Sequence, residues 1–349
     1  MMSEKREDSL MNRRQFIKVS AVVGGSAVIS VADPRIGFSQ ASKIPLRRNE
    51  RPGMTYRKLG RTNFMSSRLV FGCGAALTGG KGVRLLDRAF EAGINHYDVG
   101  PNIIYKEAER SLAPFLKAHR KDIWIASKAP LISLRIQPND EITIEQAREA
   151  AKSWTELLNA SLKELQTEYV DAYYLMAVDN PNIIRSEEMS KAFRDAKTAG
   201  KAGYFGLSTH KNATRVLEAA IASGWYDIAM IGITPAGWYD WTTKELEEGT
   251  PALVKLQPLL KKARDAGIGL IGMKTVRYLA PMDSMGKNNP QAFDGIYDPR
   301  LKASPLNPFQ RAYAYVLEHG LDVVNADMQN FKHLEENIEA AATSRKYFG

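Results

Sequence analysis

The segment "VRLLDRAFEAGINHYDVG", residues 83–100, contains the repeating unit from which the fold is predicted. Leu86 and Phe90 recur at helical spacing, and Gly93 is the residue type that ends a helix in a left-handed turn. The β-rich run "INHYDVG" that follows is typical of a buried strand. The segment therefore predicts a helix, a glycine turn and a strand.

The same alternation recurs from about residue 55 onward. Strands are predicted at 68–74, 94–100, 122–129, 170–178, 202–209, 227–234, 269–276 and 322–328. Eight strand–helix units predict a single α/β domain, a (β/α)₈ TIM barrel over residues 54–349. A β-hairpin that turns at Gly60–Asn63 is predicted at its start. A doubly wound sheet is the alternative, but no G-x-G-x-x-G motif follows an early strand.

The segment 277–307 interrupts this rhythm with Pro, Gly, Asn and Met residues and no clear periodicity. It follows the seventh predicted strand, and strand-to-helix loops build the active site of such barrels. A loop of this length is usually functional or disordered. We expect a lid or substrate loop, and a variable insertion is the alternative.

The N-terminal stretch "NRRQFIKVSAVVGGSAVISVA" has paired arginines, Arg13 and Arg14, before a weakly hydrophobic run. This order is typical of a twin-arginine export signal. The apolar run of about 14 residues is shorter than the ~20 that a spanning helix needs, so no stable membrane span is expected. Residues 1–41 are interpreted as the signal, with Ala32 and Ala41 as candidate cleavage points, and 42–53 as a linker. The expected partner is the twin-arginine translocase and the expected compartment is the periplasm; an amphipathic basic helix is the alternative.

The composition excludes several classes of function. The net charge is +9 without a Lys/Arg stripe, which indicates solubility and weak attraction for anions rather than nucleic-acid binding. The single cysteine, Cys73, excludes an internal disulfide and a cysteine-rich metal site, and no metal is expected. Cys73 lies in "VFGCGAA", which resembles a strand end, so we expect it to be a small packing residue.

Chemically useful side chains fall at the ends of different predicted strands. Asp98, Lys128 and Ser208 lie at or just beyond the C-terminal ends of three strands, where a barrel carries its chemistry. Lys128 ends an apolar strand, and Asp98 is its natural counter-ion. An ion-paired lysine beside Tyr105 would stabilise the phenolate, so that Tyr105 could act as a general acid towards a carbonyl oxygen. The alternative is a structural ion pair and a tyrosine at a helix start.

The motifs "AFEAGINHYDVG…Y…E", "IASK", "SLKELQTEYVDAYYL", "GKAGYFGLST", "ARDAGIGLIGMK" and "LEENIEAA" together resemble the aldo/keto reductase superfamily. The resemblance covers residues 54–345 in one order. It implies a (β/α)₈ barrel that moves hydride between NADP and a carbonyl or alcohol. Of the family's Asp–Tyr–Lys–His tetrad, the first three fall on Asp98, Tyr105 and Lys128.

Two departures from the family pattern affect this tetrad. The spacing from Asp98 to Tyr105 is seven residues instead of five, so two residues are inserted. Met176 stands at the histidine position, and a thioether cannot donate a hydrogen bond. His96 and His210 are the candidates to replace the histidine, with barrel filling as the alternative for His96.

The resemblance also implies a cofactor site for NADP, with NAD as the alternative. Ser208 and Thr209 fall where the family holds the nicotinamide carboxamide, Lys274 where the pyrophosphate would lie, and Glu336–Asn337 at the adenine pair. Met230 replaces an expected glutamine. The stacking aromatic is not evident in "MIGITPAG", for which the nearby aromatic residues are Trp238, Tyr239 and Trp241. Lys332 and His333 are weak substitutes at the 2′-phosphate site and would ordinarily be solvated.

Two functions follow from these observations. The first is an NADP-dependent oxidoreductase that acts on a small carbonyl or alcohol substrate, with a sugar as one candidate. The second is a catalytically impaired barrel that binds a small ligand without hydride transfer. Met176 and the two inserted residues favour the second, and the Asp98, Tyr105 and Lys128 set favours the first.

Overall fold

The computed structural model describes residues 44–131, 134, 136–282, 285–326 and 328–348. The predicted export signal and both candidate cleavage points lie outside these residues. The β-strands are β1 (Tyr56–Lys58), β2 (Met65–Ser67), β3 (Leu69–Gly72), β4 (His96–Asp98), β5 (Trp124–Pro130), β6 (Val170–Met176), β7 (Ala202–Thr209), β8 (Ile228–Thr234), β9 (Gly237–Asp240), β10 (Glu245–Leu246), β11 (Gly269–Met273) and β12 (Val323–Ala326).

The helices of the described residues lie mostly between these strands. They are α1 (Cys73–Leu77), α2 (Arg84–Glu91), α3 (Asn102–Tyr105), α4 (Ala108–His119), α5 (Ile144–Glu164), α6 (Pro181–Ile184), α7 (Glu187–Thr198), α8 (Ala213–Ser223), α9 (Leu253–Asp265), α10 (Pro299–Lys302), α11 (Pro308–Glu318) and α12 (Phe331–Thr343). No helix among the described residues is both long enough and apolar enough to cross a membrane.

Within the described part of the chain, eight parallel strands close into a barrel in the order β8-β11-β12-β3-β4-β5-β6-β7, with β7 pairing back to β8. The predicted (β/α)₈ barrel is therefore confirmed. The predicted hairpin is also present, since β1 and β2 pair antiparallel and Asn63 adopts a left-handed conformation in the turn. The strand expected at 68–74 ends at Gly72, and buried Cys73 begins α1 instead of ending a strand.

Local sequence explains how the outer helices start and stop. The longest, α5, begins with a capping box in which Thr143 and Gln146 each accept a hydrogen bond from the other's backbone N–H. Its apolar face, which includes Trp154 and Leu158, is buried. After α2 the chain turns at Gly93 with φ +89°, a conformation that suits glycine, and enters β4.

The described residues form two hydrophobic cores. One lies between the strands and the outer helices, and the other fills the barrel interior. Its buried members are Leu59, Phe64, Val70, Trp124, Ala126, Ala172, Tyr174, Ile228, Met230, Ile271, Met273 and Val323. Phe64, just before β2, stacks on Trp124 with a centroid separation of 4.6 Å. The first hairpin therefore closes the N-terminal end of the barrel with aromatic side chains.

A buried carboxylate joins the stretch before the hairpin to this same end. Asp171, at the start of β6, forms ion pairs with the guanidinium groups of Arg48 and Arg120, each at 2.9 Å. Burial opposes ionisation of Asp171, but Arg120 and Arg48 outweigh it and hold the pKa of the carboxyl below its usual value. Arg48 belongs to the stretch interpreted as a linker, and it is thus bound to the barrel.

The long segment after β11 is packed in its second half, whereas several described residues of its first half are exposed. Phe293, Tyr297 and Leu301 are buried, and Leu301 belongs to α10. Met282 and Met285 are exposed. This segment is therefore anchored through its second half, and its role as a lid or a variable insertion stays a prediction.

Candidate active site

Asp98 and Lys128 form a buried ion pair at the C-terminal end of the barrel. Lys128 Nζ donates to Asp98 Oδ2 at 2.7 Å and to the Val99 carbonyl at 2.5 Å, and both charged side chains are only 6% exposed. The two residues lie on the adjacent parallel strands β4 and β5. Inward-facing residues alternate along each strand, so both side chains reach the same interior.

Asn325 is a third member of this group. From β12, its Nδ2 donates to the same Asp98 Oδ2 at 2.8 Å. Burial raises the pKa of Asp98, while Lys128 and Asn325 act in the opposite direction. No described residue donates to the other oxygen, Asp98 Oδ1, although it is buried. The carboxylate is therefore held from one side only.

Tyr105 lies beside this pair despite the two inserted residues. The insertion forms α3, a single helical turn that ends at Tyr105 and is followed by Lys106 with φ +51°. A methyl group built at Gly100 would lie 2.7 Å from Tyr105 Cε2 and 3.4 Å from Lys128 Cγ, and one at Gly74 would lie 2.9 Å from Tyr105 Cζ. The phenol ring therefore fits between two glycines, next to the Lys128 stem.

The two candidate histidines have different positions. His96 is fully buried one layer below Asp98, with Nδ1 2.9 Å from Ser66 Oγ and its ring edge-on to Trp124. Burial lowers its pKa to about 3, so it is a neutral barrel-filling residue and not a replacement for the missing histidine. This confirms the alternative interpretation of His96.

His210 follows β7 at the C-terminal face. Burial, and then the charges of Lys274, Lys244 and Lys128, lower its pKa to about 3. A neutral imidazole has one donor and one acceptor nitrogen, so His210 can do what Met176 at the end of β6 cannot. Of the two candidate histidines, His210 is the one that lies at the C-terminal face of the barrel, directly after β7.

The predicted carboxamide residues both contact nearby loops. Ser208 Oγ accepts the Ala177 N–H at 3.0 Å and retains its own proton to donate. Thr209 Oγ1 donates to the Lys211 carbonyl at 2.7 Å, inside a local turn. Ser208 is thus the more suitable of the two for a ligand.

The aromatic residues after β8 divide into packing and surface roles. Trp238 is buried and its Nε1 donates to Thr214 Oγ1 at 2.9 Å, and Tyr239 is also buried. Trp241 is partly exposed, with Lys244 Nζ 3.0 Å and Lys274 Nζ 4.0 Å from its ring centroid. Trp241 is therefore the partly exposed one of these three residues, and the ammonium groups of Lys244 and Lys274 lie against its ring.

The residues predicted for the adenine end lie on α12. Asn337 is buried, and Glu336 forms an ion pair with Lys332 at 3.9 Å. The Lys332 side chain is 82% exposed, and Asn330 caps the helix by accepting the His333 N–H on its Oδ1 at 2.8 Å. The expectation that these two basic residues are solvated helix-start residues thus agrees with their positions.

Two residues near the site escaped the sequence analysis. Asn325 is a polar residue inside a predicted strand, and this unusual position is the sequence feature that could have identified it. Glu109, in the "Y…E" motif, is buried on α4 and accepts Ser127 Oγ at 2.7 Å, and burial raises its pKa to about 7. Ser127 precedes Lys128, so Glu109 packs behind the strand that carries the lysine. Among the described residues no group of His, Cys, Asp and Glu is suited to a metal ion.

The fold and site define a (β/α)₈ barrel whose C-terminal mouth carries a buried Asp–Lys pair and a tyrosine. The aldo/keto reductase family model matches residues 72–346. "Probable aldo-keto reductase 1" from Glycine max is 30% identical over 306 residues, which cover 82% of this chain and 84% of that protein. The chain belongs to the aldo/keto reductase family, whose members are generally NADP-dependent oxidoreductases.

Solved structures share the fold at lower identity. An aldo-keto reductase from Bacillus halodurans in its holo form has a TM-score of 0.58 at 19% identity, covering 84% of this chain and 95% of that one. An aldo-keto reductase from Klebsiella pneumoniae in complex with NADPH has a TM-score of 0.56 at 15% identity, covering 82% and 89%.

Proposed function

We propose that this protein is an NADP-dependent oxidoreductase that reduces a small carbonyl compound, with a sugar as one candidate substrate, or oxidises the matching alcohol. The observation that carries the proposal is the Lys128–Asp98 ion pair at 2.7 Å, next to the ring of Tyr105. A buried lysine needs a counter-ion to stay charged, and Asp98 supplies it.

In this proposal Tyr105 is the general acid. Its hydroxyl donates a proton to the carbonyl oxygen during reduction, and the Lys128 ammonium stabilises the phenolate that remains. Asp98 holds Lys128 in position, with Asn325 fixing the carboxylate in turn. His210 orients the carbonyl oxygen in place of the histidine that Met176 replaces.

The described residues offer hydrogen-bonding groups for the carboxamide, pyrophosphate and adenine of a nicotinamide cofactor, but they suit its 2′-phosphate less well. NADPH would supply the hydride for carbonyl reduction when bound, and NADP+ would accept it in the reverse oxidation of the alcohol. Ser208 would hold the carboxamide through its remaining hydroxyl proton, Lys274 the pyrophosphate, and Glu336–Asn337 the adenine. Met230 has no donor to replace a glutamine, and the exposure of Lys332 favours a loosely held 2′-phosphate, so NAD remains the alternative cofactor.

A second function, ligand binding without hydride transfer, is favoured by Met176 and Met230. Both offer a thioether where the family pattern has a hydrogen-bonding side chain. In that case the barrel mouth would bind a small metabolite without changing it.

Cofactor titration and turnover separate these two functions. NADPH should quench the tryptophan fluorescence of the mature protein. On addition of aldehydes from a test panel, the protein should then catalyse the oxidation of NADPH. Tyr105→Phe should bind NADPH normally and lose at least a hundredfold in kcat. Tyr347→Phe, at the other end of the chain, serves as the matched control. An absence of quenching and turnover in the folded protein would support the second function.

We further propose that the protein is exported to the periplasm by the twin-arginine translocase. The proposal rests on Arg13, Arg14 and the weakly hydrophobic run that follows them. Arg13→Lys with Arg14→Lys should move the protein from the periplasmic to the cytoplasmic fraction. The control variant Lys18→Arg keeps both arginines of the pair and should leave the periplasmic fractionation of the protein unchanged. Periplasmic recovery of the double variant would contradict this route.

A further inference from the structure

Glu109 is a buried carboxyl group that the proposed reaction does not use. It lies on α4, is 1% exposed, and its Oε1 accepts the Ser127 hydroxyl at 2.7 Å. Burial favours its neutral form, whereas hydrogen bonds from Ser127 and Ser161 favour the carboxylate. The resulting pKa of about 7 means that both forms of Glu109 are populated at neutral pH.

The hydroxyl groups around Glu109 can all donate towards its carboxylate. Burial raises the pKa of Tyr173, so this phenol keeps its proton, and its Oη lies 3.2 Å from Ser161 Oγ. Tyr173 can therefore donate to Ser161, which in turn donates to Glu109, while Ser127 donates from the other side. Side chains from β6, α5 and β5 are thus arranged to hold an anion on α4.

Lys128 lies between this carboxylate and Asp98. Ser127 and Lys128 are consecutive on β5, so their side chains point to opposite faces of the strand. Ser127 meets Glu109 on the helix side, and Lys128 meets Asp98 inside the barrel at 2.7 Å. The charge of Lys128 favours the ionised form of Glu109. Because such coupling is reciprocal, ionised Glu109 favours the ammonium form of Lys128 to the same extent.

Other titratable groups also surround Glu109. Glu164 on α5 opposes its ionisation, but Glu164 is itself paired with Arg110 at 2.9 Å. The remaining titratable residues of β6, α1 and α3 that belong to these neighbouring elements include Tyr173, Cys73 and Tyr105. Of the charged groups that act on Glu109, Lys128 is the one that stabilises its negative charge.

We propose that Glu109 is a positioning residue for the catalytic lysine: across β5 from Asp98, its carboxylate stabilises the ammonium form of Lys128. This inference rests on the proposed function, in which that ammonium stabilises the Tyr105 phenolate. Ionised Glu109 supports the charge of Lys128 together with Asp98, whereas neutral Glu109 leaves Asp98 to do so alone. The proton on Glu109 therefore influences the pH range over which the catalytic group works.

The first experiment measures kcat against pH for the wild type and for Glu109→Gln, with NADPH and an aldehyde. Glutamine keeps an oxygen that can accept the Ser127 hydroxyl, but it carries no charge. Loss of the charge makes the Lys128 ammonium less favourable, so the basic limb of the profile should move to lower pH by roughly half a unit or more. A lower kcat with an unmoved basic limb would show a merely structural role and overturn the proposal.

Glu164→Gln is the matched control for this experiment. It removes a carboxylate that also acts on Glu109, but one whose side chain is 24% exposed and paired with Arg110. The basic limb should stay at its wild-type position. A basic limb that moves equally in Glu164→Gln and Glu109→Gln would overturn the specific role of Glu109.

The second experiment needs no turnover and therefore separates this inference from the proposed function. The pKa of Glu109 is followed by carbon-13 NMR of its carboxyl carbon, whose signal is identified by its loss in Glu109→Gln. The proteins are the wild type and the double variant Lys128→Met with Asp98→Asn, which leaves no unpaired charge inside the barrel. Without Lys128, the Glu109 pKa of about 7 should rise by roughly half a unit or more.

Lys117→Met removes an exposed lysine from the same helix as Glu109 and should leave the Glu109 pKa unchanged. An unchanged Glu109 pKa in the double variant would overturn the proposal, even if the wild type proves to be a reductase. A raised Glu109 pKa in a protein without turnover would support the coupling between Glu109 and Lys128 and count against the proposed function alone.

Discussion

Asn325 donates a hydrogen bond of 2.8 Å to Asp98 Oδ2 across the inside of the barrel, although the two residues are 227 positions apart in sequence. They lie on β12 and β4, the two strands that flank β3. The same oxygen also accepts Lys128, so one atom joins side chains from three strands. Asn325 is a positioning residue for this ion pair.

The Asn325→Leu variant tests this role. Loss of the donor removes an interaction that favours the charged form of Asp98, so the raised pKa of Asp98 should rise further. The acid limb of the kcat/pH profile should move to higher pH, and kcat at neutral pH should fall about tenfold. Asn289→Leu, at an exposed position, is the control. A lower kcat with an unmoved acid limb would indicate a purely structural role.

Gly100→Ala should displace Tyr105. The new methyl group would lie 2.7 Å from the ring Cε2, so the phenol must move away from Lys128. We expect kcat to fall at least tenfold while NADPH affinity and the urea midpoint change little. Gly295→Ala is a matched control, because nothing lies within 4 Å of a methyl group at that position. Full activity of Gly100→Ala would show that the ring position is not needed.

Glu109 should make the stability of the protein depend on pH. Its folded-state pKa of about 7 lies above the usual 4.5 of a glutamate, so the folded state binds the proton more tightly. Its contribution is fully present below about pH 4 and is lost as the pH rises through 7, a loss of roughly 3 kcal/mol. Urea midpoints at pH 5 and pH 8 should differ less in Glu109→Gln than in the wild type. The exposed Glu156→Gln should behave like the wild type; equal pH dependence in all three proteins would refute the assignment.

Asp171 should change the stability of the protein with pH in the opposite direction from Glu109. Arg120 and Arg48 hold its folded-state pKa below the usual value, so its contribution is present above about pH 4 and is lost as the pH falls through the folded value. Asp171→Asn should lose roughly 3 kcal/mol of unfolding free energy at pH 7, because two part-buried guanidinium groups lose their counter-ion. Urea denaturation at pH 7 measures this, with Asp195→Asn on the surface of α7 as the control. A change below roughly 0.5 kcal/mol, the size of an ordinary surface substitution, would contradict it.

The sequence predicted the parts of the site that depend on strand periodicity. Asp98 and Lys128 end two consecutive strands, and parallel strands bring such ends together, so their pairing followed from position alone. Tyr105 could not be placed this way, because the segment between β4 and Tyr105 is two residues longer than the family pattern. Its position depends on glycines in two different segments, Gly74 and Gly100, that leave room for the ring. The sequence also could not decide whether His96 or His210 lies near the barrel mouth, because the depth of a residue within a barrel is set by the stagger of all eight strands.

The sequence by itself determined the eight-stranded barrel, the hairpin at its base and the charged pair at its mouth, because these arise from local periodicity, glycine turns and alternation along strands. Only the tertiary structure decided that Asn325 holds Asp98, that Trp241 lies among Lys244, Lys274 and Arg277, and that His96 is buried inside the barrel while His210 follows β7 at its C-terminal face. Those contacts join segments that are distant along the chain. Their geometry depends on the closure of the barrel and on side-chain packing, which no local pattern specifies.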